Sequence, residues 1–244
     1  MLIISIFTKS FNMAKLFLVP NVLSDGNWQQ VLPVGIYNII TETKYFIVEN
    51  IRTTRRFMKQ VNRDVNIDEC TFFELNKHTS DLDIPNYLKP LENGFDVAVI
   101  SEAGCPGVAD PGADVVKIAH QKGIKVVPLV GPSSILLALM ASGLNGQNFT
   151  FNGYLPVKPN ERSRAIAELE KKAANEQQTQ IFIETPYRNN QLIEDVLKTC
   201  STNTLFCIAA NITAENEFIV TKSIQDWKNK TPNLHKIPSI FMLG

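Results

Sequence analysis

Short runs of β-branched and aromatic residues alternate with longer stretches of helical periodicity along most of this chain. Such alternation leaves few folds open, because successive strand–helix–strand units close into a mostly parallel sheet with helices on its faces. The strand candidates in the first half are Lys15–Val19, Tyr45–Glu49, Thr71–Leu75, Asp96–Ile100 and Lys125–Leu129. Helices are expected between them over Thr53–Val61, Pro85–Leu91, Ala113–Lys122 and Ser134–Ser142. Gly123 and Gly143 stand just past two of these helices, where a left-handed stop is favoured. A second set follows, with strands at Phe149–Gly153, Gln180–Glu184, Leu205–Asn211, Phe218–Thr221 and Ile240–Leu243 and helices at Glu161–Asn175 and Asn189–Thr199. Two of the later strands have no helix between them, so the second sheet is expected to be mixed. The connector Leu144-Asn145-Gly146-Gln147-Asn148 is polar and turn-rich. It predicts an N-terminal α/β domain over 13–146 and a C-terminal α/β domain over 147–244, with a ligand cleft between them.

Composition narrows the function classes. The chain has 244 residues, 44% of them hydrophobic and 20% charged, which is ample for a buried core without disulfides or metal. Basic and acidic residues balance at 24 each, so a generic nucleic-acid binder is disfavoured and only a local basic patch remains open. The longest clean apolar stretch, Ile135–Ala141, is seven residues, against the roughly 20 that a bilayer requires. Cys70, Cys105, Cys200 and Cys207 form no CxxC pair, so no metal site is expected and the thiols read as reduced cytosolic ones. The opening MLIISIFTKSFNMAK has no basic residue ahead of its apolar run and no cleavage signature, so a cytoplasmic location is expected. Met13 is the expected start, with 1–12 an extension.

Four segments carry chemistry. The run Ile100-Ser101-Glu102-Ala103-Gly104-Cys105-Pro106-Gly107-Val108-Ala109-Asp110-Pro111-Gly112 lies between a strand and a helix, where open α/β sheets bind ligands. Its three glycines and two prolines make it more specified than a surface turn capped at Asp110 needs to be. Val130-Gly131-Pro132-Ser133-Ser134 occupies the same kind of position, its serines serving either as helix caps or as ligand contacts. Neither loop matches the glycine signatures of nucleoside triphosphate or dinucleotide sites. Glu184-Thr185-Pro186-Tyr187-Arg188 places an acid and a base four apart across a proline turn, as a cleft pair or as a surface ion pair. After Glu49, Arg52, Arg55, Arg56, Lys59 and Arg63 form a basic stripe opposite Phe57, Met58 and Val61, either a phosphate-facing surface or a solvated one.

Taken together, these residues resemble the tetrapyrrole methylase superfamily of S-adenosylmethionine-dependent methyltransferases. Within it they are most similar to the branch that methylates a ribose 2′-hydroxyl in small-subunit ribosomal RNA. That branch carries segments like SDAGTPGISDPG, PGPSA, FxGFLPxK, ExPxR and AEDTRxTR. Here they stand as Ser101–Gly112, Val130–Ser134, Phe151–Lys158 with Arg162 following, Glu184–Arg188 and Val48–Arg55. The resemblance runs in order from about Lys15 to Gly244. It implies two α/β domains, a homodimer, and S-adenosylmethionine held by Gly104, Cys105, Pro106, Val108, Ser133, Ser134, Ile135 and Leu155. Glu184 and Arg188 are the implied catalytic residues, with Glu184 the base, and Arg52, Arg55 and Lys158 would contact rRNA or the small ribosomal subunit.

Several positions depart from the pattern. The first loop, VATPIGNLxD in the branch, reads Val19-Pro20-Asn21-Val22-Leu23-Ser24-Asp25, without its glycine. A segment like ARELTKxxEE reads Ala209–Glu217 without its Arg, Glu and Lys, and a YHEHN-like segment reads Phe72–Asn76 without either histidine. The donor loops are thus kept better than the acceptor side. This leaves open a same-fold methyltransferase for another acceptor, a small molecule or other RNA, and a non-catalytic cofactor binder.

Overall fold

The computed structural model describes residues 14–76, 78–80 and 82–244; the expected extension over 1–12 lies outside them. The chain divides into two compact units, the first comprising residues up to Val22 and Trp28–Gly131, the second Leu23–Asn27 and Pro132–Gly244.

The first unit contains β1 (Lys15–Val19), α1 (Gly35–Glu42), β2 (Tyr45–Val48), α2 (Ile51–Val61), β3 (Thr71–Glu74), α3 (Ile84–Tyr87), α4 (Lys89–Glu92), β4 (Val97–Ile100), α5 (Gly112–Gln121) and β5 (Lys125–Pro128). Its five strands are all parallel in the order β3-β2-β4-β1-β5. The central β4, VAVI, is buried on both faces, as a strand covered by helices on each side must be. Phe17, Val19, Phe46 and Ala98 pack against Ile36 and Ile40 of α1 and Phe57 and Met58 of α2. The opposite face, with Leu16, Ile47 and Val99, packs against Leu88, Leu91 and Val115. The expected helix over Pro85–Leu91 is two short pieces, because Pro90 has no amide hydrogen to continue the ladder of α3 and sits instead in the first turn of α4. Helix α1 was not expected: its segment is rich in isoleucine, and only the burial of Ile36 and Ile40, one turn apart, makes a helix of it.

The second unit contains α6 (Ser134–Ser142), β6 (Phe149–Tyr154), α7 (Pro159–Glu176), β7 (Thr179–Ile183), α8 (Asn189–Thr199), β8 (Leu205–Ala210), β9 (Phe218–Ser223), α9 (Ile224–Asn229) and β10 (Ser239–Leu243). The sheet order is β6-β7-β10-β8-β9, with β6 parallel to β7 and every other pair antiparallel, so it is mixed as expected. Helices α7, α8 and α9 cover one face, around Phe182, Phe206, Trp227 and Phe241. Short α9, also missed in the sequence, is fixed by the Trp227 indole, which donates to the Phe206 carbonyl at 2.7 Å.

The units divide at Gly131, well before the boundary expected after Gly146. The reason is packing: α6 lays Ala138 and Leu139 on Ile181, Cys207 and Met242, on the other face of the second sheet. The polar connector behind it is no linker, since the Asn145 and Asn148 side chains donate to Gln177 and Glu176 carbonyls just past and at the end of α7. Leu139→Ala should therefore cost about 2–5 kcal/mol in urea unfolding. Hydrogen exchange should accelerate in β8 and β10 and not in β2 and β4; the reverse would assign α6 to the first unit.

Candidate active site

In the first sheet, β1 and β4 are neighbours, yet the chain leaves β1 for α1 on one face and β4 for α5 on the other. Adjacent strands whose connections part in this way open a crevice at their carboxyl ends. The two loops meet across it. Asn21 and Gly104 exchange backbone hydrogen bonds, Asn21 N–H to the Gly104 carbonyl at 2.9 Å and Gly104 N–H to the Asn21 carbonyl at 3.1 Å. The buried Asn21 amide also donates to the Ser101 and Glu102 carbonyls, both at 3.1 Å. The buried Ser101 hydroxyl donates to the Gly104 carbonyl at 2.8 Å. Gly104 has φ of 70°, a left-handed conformation that a side chain would strain.

Asp110 holds the rest of this loop. Its Oδ1 accepts from the amides of Gly107 at 2.6 Å and Gly112 at 2.8 Å. Burial raises its carboxyl above the ordinary value, and the two amides oppose that shift. Pro111 is the N-cap of α5 and the Asp110 side chain ties the loop to that helix start, one residue earlier than a simple cap. The loop after β5 closes the crevice: a Cβ on Gly131 would lie 2.2 Å from Pro20 Cγ, so only glycine lets these two loops touch.

Cys105 is half-buried, with Sγ 3.8 Å from the Gly131 carbonyl, and burial followed by the Asp110 charge pushes its thiol up. A thiol held protonated is a poor nucleophile. Val108 and Val130 expose apolar side chains at 50% and 76%. At the end of β2, Glu49 is half-buried; burial, then the Asp110 charge, raises its carboxyl, although its Oε1 accepts from the Glu102 amide at 3.5 Å. Sequence reasoning passed over Asn21, Asp110 as a clamp, and Glu49.

Helix α2 follows Glu49, and Asn50 caps it by accepting from the amides of Arg52 and Thr53 at 2.9 and 3.2 Å. Arg52, Arg55, Arg56 and Lys59 are exposed and Phe57, Met58 and Val61 buried, as the spacing predicts. The stripe is shorter than expected, because the helix ends at Val61 and Arg63 lies beyond it. Lys59 donates to the Arg63 and Val65 carbonyls at 2.9 and 2.8 Å, and the Arg55 guanidinium lies 5.3 Å from the Phe72 ring centre.

The remaining candidates belong to the second unit. Ser133 is the N-cap of α6, accepting from the Leu136 amide at 3.5 Å, with Ser134 and Ile135 in its first turn. Leu155 is buried just past β6. Lys158 is exposed beside Glu161 at 3.1 Å, while Arg162 is almost fully buried. Its Nε donates to Asp195 at 2.6 Å and its Nη1 to the Val157 carbonyl at 3.0 Å, which fixes the loop carrying Leu155 and Lys158. Beyond β7, Glu184 Oε1 accepts from the Thr185 amide and from Arg188 Nη2, both at 2.6 Å. Glu184 Oε2 and Arg188 Nε are buried without a hydrogen-bond partner.

A parallel sheet with a glycine-shaped carboxyl edge, followed by a mixed-sheet unit, defines a two-unit α/β protein. The model of the tetrapyrrole (corrin/porphyrin) methylases matches residues 32–227, and the chain belongs to that family. Among curated relatives, the ribosomal RNA small subunit methyltransferase I of Pasteurella multocida (strain Pm70) is 34% identical over 168 residues, 68% of this chain and 58% of that protein. Its namesake in Vibrio cholerae serotype O1 is 32% identical over 182 residues, 75% of this chain and 59% of that protein. The chain thus spans less than two thirds of the length of these relatives. The crystal structure of the methyltransferase CobJ shares the fold with a TM-score of 0.62 and 16% identity, covering 95% of this chain and 93% of that one.

Gly131→Ala should lower stability by about 1–3 kcal/mol in chemical denaturation, because its Cβ would overlap the Pro20 ring and force these loops apart. Glu49 gives a pH signature. A carboxyl raised in the folded state keeps a proton that the unfolded chain has released, so stability falls as pH rises from the ordinary value of 4.5 through the raised one. Glu49→Gln should therefore unfold at higher urea than the wild type at neutral pH and match it below about pH 4.

Proposed function

We propose that this chain is an S-adenosylmethionine-dependent methyltransferase whose acceptor is a ribose 2′-hydroxyl of small-subunit ribosomal RNA. The observation that carries the reading is the loop after β4, locked to Asn21 and clamped by Asp110 at the switch crevice of a methylase-family sheet. The names of the relatives support the RNA acceptor. The donor chemistry fits the cofactor. Exposed Val108 and Val130 suit its apolar parts, glycine-rich backbone suits its hydrogen-bonding groups, and the half-buried Glu49 suits its positive charge. When bound, S-adenosylmethionine supplies a methyl group on a cationic sulfur, and an in-line displacement of this kind draws much of its rate from positioning. Gly104, Cys105, Pro106 and Val108 would hold it. For Ser133, Ser134, Ile135 and Leu155 the same role is proposed from the family resemblance alone, as is a homodimer, which a sedimentation profile at monomer mass would contradict.

Glu184 is assigned to the hydroxyl proton. Its Oε1 is committed to Thr185 and Arg188, so Oε2, buried and unpartnered, is the atom left to accept. Arg188 Nε, equally unpartnered, would take a phosphate oxygen, and Arg52, Arg55 and Lys158 would contact the RNA backbone. The test is transfer of labelled methyl from S-adenosylmethionine into small ribosomal subunits from cells lacking the gene, with cofactor binding measured by calorimetry on the same preparation. Label on one rRNA nucleotide is expected. Binding without label would point to a different acceptor, and loss of both would leave a non-catalytic protein. Glu184→Gln should reduce labelling at least about tenfold while cofactor affinity is unchanged; full labelling would remove Glu184 from the reaction.

A further inference from the structure

A second group of residues gathers beyond β7, on the exposed side of the Glu184–Arg188 ion pair. Tyr187 is 69% exposed, with the Lys236 ammonium 5.7 Å from its ring centre and the His235 ring edge-on at 5.8 Å. His235 and Lys236 are themselves exposed, and Arg188, next to Tyr187, interacts electrostatically with Tyr154, which is 61% exposed. The arrangement is held from beneath. The wholly buried Asn189 amide donates to the Ile237 carbonyl at 2.6 Å and to the Leu234 carbonyl at 3.3 Å, fixing the turn that carries His235 and Lys236. Lys236 takes a left-handed φ of 63° and donates its amide to the Pro186 carbonyl at 2.9 Å, which brings the turn against Tyr187.

With Lys236 5.7 Å from the ring centre and the His235 ring nearly perpendicular to it at 5.8 Å, an exposure of 69% still leaves much of the Tyr187 ring open to a planar ligand. An exposed aromatic ring with a lysine ammonium beside it is how single-stranded nucleic acids are held, the base stacking on the ring and a phosphate meeting the charge. Duplex RNA offers no unstacked base to such a surface. We infer that Tyr187, with Arg188, His235 and Lys236 around it, is a stacking platform for one unpaired base of a single-stranded RNA segment. The inference rests on the reading of an RNA acceptor above and adds to it the contact surface and the single-stranded form.

Fluorescence anisotropy of the full chain with a labelled single-stranded RNA 12-mer, and with the same sequence as a duplex, tests it. The wild type should favour the single strand. Tyr187→Ala should weaken single-strand binding roughly fivefold or more, Tyr187→Phe should restore it, and duplex binding should change little. Lys236→Ala should lower the slope of log affinity against log salt by about one ion, whereas Lys198→Ala, a charge control on α8, should not. Equal affinities for single strand and duplex, no loss in Tyr187→Ala, or failure of Tyr187→Phe to rescue would each overturn the platform. The methylation assay separates this from the function itself. Label transfer undiminished in Tyr187→Ala refutes the platform alone, whereas wild type that binds the 12-mer through Tyr187 yet labels no ribosomal subunit refutes the rRNA reading alone.

Discussion

The pair of backbone hydrogen bonds between Asn21 and Gly104 is the contact on which the first unit's site depends. Without it, the loops after β1 and β4 would leave the sheet on opposite faces with nothing to hold the crevice between them at a fixed width. Asn21 then does with its side chain what the backbone bridge alone does not, bonding two further carbonyls of the β4 loop. The other clamps build outward from there, Asp110 toward α5 and Pro20 toward Gly131. The desolvated carboxylates of Asp110 and Glu49 are a cost of closing this region around negative charge, one that a cationic ligand would offset.

The second unit uses buried polar side chains in the same way. Arg162 fastens the segment after β6, and Asn189 fastens the turn before β10. Each is nearly or wholly buried, and each donates to at least one main-chain carbonyl of the segment it fastens. Rigid elements thereby present surface residues at set positions without those residues having to pack.

Much of this was legible in the sequence and some was not, for identifiable reasons. The β/α alternation, the mixed second sheet, the two faces of α2 and the full extent of α8 follow from local periodicity, and they appear as read. The loop over Ser101–Gly112 was legible because its glycines and prolines constrain the backbone wherever it sits. Helix α1 was not, because its identity comes from two buried isoleucines rather than from propensity. The boundary was misplaced because a polar connector looks like a linker until α6 is seen on the second sheet. Asn21 carried no signal of its own, since its partners lie 80 and 81 residues away, and the Tyr187 cluster depends on a turn nearly fifty residues on.

The bonds that shape the crevice join backbone groups of Asn21 and Gly104 and tie the side chains of Asn21, Ser101 and Asp110 to main-chain partners. Gly104 and Gly131 are fixed as well, one by its torsion and the other by the ring beside it. Where a loop residue contributes only its main chain, other side chains keep the same path. Drift in such a protein would be read first in what it touches and last in how its loops are bent.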